Sequence, residues 1–201
     1  MKLGSFKFIF QLFIPNKNKI LIFDKEGSDD LDKYVLSDIQ NNKVYDLEII
    51  TIYFNIKFII KFLKNIFYTH VNDCSFIKKI YIIYIKTEIE FIDPKIIITY
   101  NDDNSIYHEL TYIINNRTFI AIQNGLREKF IRDRIKHNIN HDYLYCFGLK
   151  DREKNKSTHW LVKNLRPVGS LRVGIALSKF NSLKKQYDIC LISEYEPRKK
   201  N

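Results

Sequence analysis

Asp24 and Glu26 stand two residues apart in the segment Asp24-Lys25-Glu26-Gly27-Ser28, directly after the short apolar run Lys19–Phe23. A carboxylate at the end of such a run can act as general base on an acceptor hydroxyl. It can equally be a loop acid that caps the next helix. Four further polar segments have similar settings: Asn101-Asp102-Asp103-Asn104, Gln123-Asn124-Gly125-Leu126-Arg127, Phe147-Gly148 and Gly169-Ser170. Carboxylates and amides exchange hydrogen bonds with sugar hydroxyls, glycines admit a ligand to the backbone, and Arg127 can fork onto a phosphate or carboxylate. The mixture suits a polar, polyhydroxylated ligand better than an apolar one or a hydride carrier. The candidate catalytic residues are Asp24 and Glu26. The candidate substrate-binding residues are Gly27, Ser28, Asp102, Asn104, Gln123, Asn124, Gly125, Arg127, Gly169 and Ser170. Asp102, Asp103 and Asn104 also read as a ligand or divalent-cation loop or as a plain helix-initiating turn, and Gln123-Asn124-Gly125 as a turn alone; no metal site is assigned.

These segments need a scaffold that gathers them, and the stretch Pro94–Arg127 supplies its unit. Lys95–Tyr100 is a nearly continuous apolar run, the pattern of a strand buried on both faces. Asn101–Asn104 breaks it, and Ser105 can cap a helix. Ile106, Leu110, Ile113 and Ile114 then form one apolar stripe, Asn115-Asn116 stops the helix, and Thr118–Ile122 is the next strand. This βαβ unit requires parallel strands, so both following loops emerge at the carboxyl edge of one sheet, where open α/β sheets bind ligands.

Along the chain, Lys19–Phe23 predicts the first strand, and a helix follows with Leu31, Tyr34, Val35 and Ile39 on one face. Val44–Tyr53 predicts a second strand, and Phe54–Tyr68 and Phe76–Ile92 predict helices, the latter closed before Pro94. Glu128–His141 is a charged helix or exposed loop, and Tyr143–Phe147 a buried strand. Lys150–His159 is a lysine-rich polar segment, Trp160–Val168 a strand, Arg172–Phe180 a further segment and Asp188–Ser193 a last strand. His108 and His159 read as surface residues. The fold class is therefore α/β, a Rossmann-like and mostly parallel sheet with helices on both faces.

At 201 residues the chain has room for one α/β domain with a real core. Its 45% hydrophobic and 14% aromatic content belongs to globular proteins. The net charge of +10 invites a polyanion, but the lysines are scattered, and no groove-reading motif points to nucleic acid. Cys74, Cys146 and Cys190 show no zinc spacing and read as reduced thiols of a cytoplasmic protein. No apolar run is long enough to span a bilayer. Residues 1–17 read as an amphipathic arm packed on the domain or resting on a membrane surface. No P-loop, GxGxxG or GxSxG motif is present.

In this order, IFDKEGSDDL, IITYNDDNSIYHEL, FIAIQNGLR, YLYCFG, PVGSLRVG and YDICLIS resemble the bacterial surface-carbohydrate biosynthesis proteins of lipopolysaccharide and O-antigen assembly, glycosyltransferases of the GT-B fold. The resemblance covers roughly residues 19–195. It implies residues 1–186 as the Rossmann-like, acceptor-side domain and residues 187–201 as the opening strand of an otherwise missing donor domain. It implies a saccharide or lipid-linked acceptor, a nucleotide sugar as donor of the complete enzyme with no cofactor on this chain, and either a truncated or split gene or a second chain carrying the donor domain. Peripheral inner-membrane contact is expected through the amino-terminal arm, and nucleic acid is not an expected partner. Alone, such a half is expected not to transfer sugar. Two other readings stand beside it: a non-catalytic sugar-phosphate-binding or accessory module, and a basic nucleic-acid binder with salt-sensitive affinity.

Overall fold

The computed structural model describes residues 7–25, 27–38, 42–45, 49–71, 75–125, 140–156 and 161–179. The chain divides into two compact units, Met1–Ser170 and Leu171–Asn201. The first contains β1 (Lys7–Gln11), β2 (Ile20–Phe23), α1 (Ser28–Tyr34), β3 (Asn42–Tyr45), β4 (Ile49–Tyr53), α2 (Ile56–Tyr68) and α3 (Phe76–Ile92). It continues with β5 (Ile96–Thr99), α4 (Ser105–Ile113), β6 (Thr118–Ile122), β7 (Asn140–Cys146), α5 (Leu149–Lys156) and β8 (Leu161–Pro167). The second unit contains α6 (Leu171–Lys179).

Six strands form one sheet in the order β3-β2-β5-β6-β7-β8, and every neighbouring pair is parallel. The α/β class and the parallel βαβ pairing of β5 with β6 are as the sequence predicts. The near-continuous apolar runs explain why: Ile-Leu-Ile-Phe in β2 and Ile-Ile-Ile-Thr in β5 have no polar face to leave in water. Alternate side chains point to opposite faces. On one face, Leu21 pairs in register with Ile97, and Ile97 with Phe119. These residues join Ile82, Ile85 and Ile89 of α3 and Tyr107 and Leu110 of α4 in one buried cluster. On the other face Ile20, Ile22 and Ile98 are buried too. The Tyr107 hydroxyl fastens α4 to the sheet, lying 2.9 Å from the Ile97 carbonyl and 2.7 Å from that of Ile120.

Several elements differ from expectation. Val44–Tyr53 is not one strand: β3 belongs to the large sheet, whereas β4 pairs in parallel with β1 in a separate two-stranded sheet. The amino-terminal arm supplies that second partner, a pairing that no local pattern announces. Asn104, not Ser105, caps α4: its Oδ1 accepts from the backbone N–H of Ile106 and Tyr107 at 3.0 and 3.2 Å. His108 is buried rather than exposed, because α4 packs inward beyond its aliphatic stripe and sets His108 against His141 of β7, ring centroids 5.2 Å apart. β7 begins at Asn140, so His141 is a strand residue rather than the end of a charged loop. The segment from Leu149 to Lys156 is helical. The stretch 126–139, His159, Trp160 and the predicted strand Asp188–Ser193 lie outside the described residues.

Candidate functional site

Where a doubly wound sheet reverses its strand order, two neighbouring strands send their chains in opposite directions and a crevice opens at their carboxyl ends. Here the chain passes from β2 outward to β3 and later returns on the other side of β2 as β5, so the reversal falls between β2 and β5. Asp24 and Tyr100–Asn104 follow those two strands.

Asp24 occupies the left-handed region with φ 80°, a conformation that aspartate tolerates better than most residues but that still costs about 1–2 kcal/mol. Its N–H donates to the Tyr45 carbonyl at 2.9 Å and extends the β2–β3 ladder by one bond. Its Oδ2 accepts from Asn104 Nδ2 at 3.2 Å. Asn104 thereby caps α4 with one end of its amide and holds the Asp24 carboxylate with the other. Gly27 is also left-handed, φ 70°, and a Cβ there would lie 2.3 Å from Cδ1 of Tyr100. Its bareness accommodates that ring, a demand separate from any ligand's approach to the backbone.

The same edge is laced together by further bonds between successive loops. Asp102, buried, accepts at Oδ1 from the N–H of Asn124 at 3.3 Å. Gln123, also buried, donates from Nε2 to the Gly125 carbonyl at 2.8 Å and accepts at Oε1 from the N–H of Phe147 at 3.2 Å. The loops after β2, β5, β6 and β7 are therefore joined in spatial order by Asp24–Asn104, Asp102–Asn124 and Gln123–Phe147.

The structure thus gathers Asp24, Gly27 and Asn104 at the switch point, with Ser28 buried beneath as the first residue of α1. Asp102 and Gln123 are brought to the same rim as ties between loops, and Asn124 and Gly125 are half-buried beside them. Gly169 and Ser170 follow β8, four strand spacings from β2, about 19 Å at the usual separation of neighbouring strands, and do not share that point. Glu26 and Arg127 lie outside the described residues.

Away from the rim, three polar groups go unannounced by the hydrophobic pattern: Glu88 and His141, both buried, and Glu90, half-buried. Glu88 of α3 accepts from the hydroxyls of Tyr45 (2.9 Å) and Tyr53 (2.8 Å), tying β3 of the large sheet to β4 of the small one. Burial and then the Glu88 charge push both phenols above their ordinary range. Burial alone would raise the Glu90 carboxyl, but hydrogen bonds from Lys86, Asn65 and Lys61 outweigh it and hold the group below its usual value. His141, buried first and then faced by His108, is held well below the usual imidazole range. Neither of its ring nitrogens meets a hydrogen-bond partner among the described residues. The Lys86–Glu90 pair at i, i+4 was the one such feature with a sequence signal.

Among the described residues no cluster of three His, Cys, Asp or Glu is placed to hold a metal ion, and no helix is long and apolar enough to cross a membrane. Fold and site together define a doubly wound, Rossmann-like α/β protein with a polar rim at its switch point. The chain matches no known family model, and neither the curated proteins nor the solved structures contain a significant match to it.

Proposed function

We propose that the β2/β5 switch point binds the acceptor saccharide of a glycosyl transfer in bacterial surface-polysaccharide assembly (lipopolysaccharide, O-antigen or capsule), with this chain as the acceptor-side half of the enzyme. The observation that carries this reading is the Asp24–Asn104 pair. A left-handed aspartate, half-buried and held by an amide at the mouth of the crevice, is a strained and oriented carboxylate of the kind found at functional sites. Asp24 takes the proton of the acceptor hydroxyl, and the freed oxygen attacks the anomeric carbon of a nucleotide sugar as the nucleotide phosphate departs. That donor is a substrate held by a second, donor-side domain or partner chain, on the cytoplasmic side of the membrane. The resemblance of the loop segments to surface-carbohydrate glycosyltransferases and the parallel sheet common to GT-B halves both support it.

The alternative, a non-catalytic sugar-phosphate-binding or accessory module, is favoured by a different observation. Gln123 and Asp102 commit polar atoms to loop-to-loop bonds, which makes the rim a rigid cradle. Saturation-transfer NMR on the purified chain, with neutral oligosaccharides, sugar phosphates and free nucleotides, tests both readings. Binding of acceptor-type saccharides that Asp24→Ala abolishes supports the transferase half. Preference for sugar phosphates, indifferent to Asp24, supports the module. Silence with every saccharide contradicts both.

A further inference from the structure

The chain's acidic residues are not distributed like its lysines. Residues 1–23 and 49–71 together hold seven lysines and none of the 23 Asp and Glu, so seven of the ten net positive charges belong to these two segments. The fold brings their described parts together. β1 pairs with β4, the Phe54 N–H donates to the Gln11 carbonyl at 2.8 Å, and Asn55 Nδ2 reaches the Leu12 carbonyl at 3.4 Å. The rings of Phe10 and Phe54 stack at 5.7 Å.

The surface so formed is apolar where water should meet it. In α2 the inward positions are Phe58, Phe62 and Ile66. A second apolar stripe, Ile56, Ile60, Leu63 and Phe67 at i, i+4, i+7 and i+11, faces outward, and Phe67 is 82% exposed. Lys57 and Lys64 flank it, exposed. Beside the helix start, Phe10, Leu12 and Phe13 are exposed as well, Phe13 at 82%. Among the described residues nothing covers this outer face of α2, which is apolar and cationic at once, the pattern of a surface that meets a partner.

We propose that this face, β1 with the outer stripe of α2, docks on an anionic lipid surface. Charge selects the occupant. Lysines spaced among isoleucine, leucine and phenylalanine let the apolar side chains enter the acyl boundary while the ammonium groups rise to the phosphates. A second copy of the chain would set Lys57 and Lys64 against their own counterparts, since the acids nearest these segments, Glu90 and Asp93, are already engaged by Lys61 and Lys17. The assignment rests on exposure and charge alone and is independent of what the switch point binds.

Flotation of the 201-residue chain with phosphatidylcholine vesicles, with and without phosphatidylglycerol, tests it. The expected result is binding to the anionic vesicles that weakens with added salt. Lys57→Gln with Lys64→Gln should weaken it by roughly five-fold per lysine, and Ile60→Ser with Phe67→Ser by at least about ten-fold. Both pairs are surface changes, and circular dichroism should register an unaltered fold. Equal binding to neutral vesicles, or no flotation at all, overturns the proposal. So does lipid-free self-association in sedimentation velocity that the Ile60/Phe67 variant abolishes, which would assign the face to a second copy.

Discussion

Asn104 uses both ends of one amide: Oδ1 caps α4 through the N–H groups of Ile106 and Tyr107, and Nδ2 donates to the Asp24 carboxylate 80 residues earlier, at 3.2 Å. Replacement by alanine removes the cap and the bond to a charged group together, and should cost about 2–3 kcal/mol. Asn104→Asp keeps a capping oxygen but replaces the amide donor to Asp24 with a second carboxylate, so it should spare the cap and lose the bond between the loops, at a cost of about 1–2 kcal/mol. Urea unfolding of both variants at neutral pH checks this.

Asp24 in the left-handed region predicts a reversal of the usual ranking of alanine and glycine. Asp24→Gly should be more stable than Asp24→Ala by about 1 kcal/mol, because glycine takes φ 80° without strain. Denaturation midpoints of the two variants, which lose the same carboxylate, isolate the backbone contribution.

Gly27→Ala meets two obstacles at once, the left-handed backbone and the Tyr100 ring at 2.3 Å. A loss of roughly 2–4 kcal/mol is expected, and Tyr100→Ala in the same chain should recover only the portion that comes from the clash. The double-mutant cycle measures it.

His141 predicts an acid limb in stability. Its folded-state pKa lies below the ordinary value of about 6.5, driven down by burial and then by His108. Above that pH both folded and unfolded forms are neutral there. Below it only the unfolded chain takes up the proton, so stability present above pH 6.5 is lost as pH falls, at up to about 1.4 kcal/mol per unit. Thermal unfolding between about pH 5 and 8 should show the decline, and His141→Phe should flatten it. Glu90, whose carboxyl is held low, contributes only at more acid pH.

Much of this fold can be read from local pattern. The βαβ unit from Pro94 to Arg127 is legible because Ile96–Thr99 and Thr118–Ile122 are unbroken apolar runs around a helix with one aliphatic stripe. What escapes is whatever depends on partners distant in the chain. β1 becomes a strand only because β4 stands beside it, and His108 is inside only because β7 brings His141 to it. The candidate rim divides on the same principle. Asp24, Asn104 and Asp102 are legible as polar loop residues at strand ends, and the structure sets them after β2 and β5. Their bonds to one another span 80 residues for Asp24–Asn104 and 22 for Asp102–Asn124, and composition carries no trace of them. The segregation of acids away from residues 1–23 and 49–71 is present in the sequence, but only the pairing of β1 with β4, which leads into α2, joins the two segments into one surface.

Asp24 at the switch point is proposed to face a saccharide, and calorimetric titration of the purified chain with lipid-linked and free acceptor saccharides tests this. Saturable binding is expected, falling at least about ten-fold, the equivalent of one charge-assisted hydrogen bond, in both Asp24→Ala and Asp24→Gly, although the two differ in stability. Binding that is absent in the parent chain, or unchanged in both variants, would contradict it.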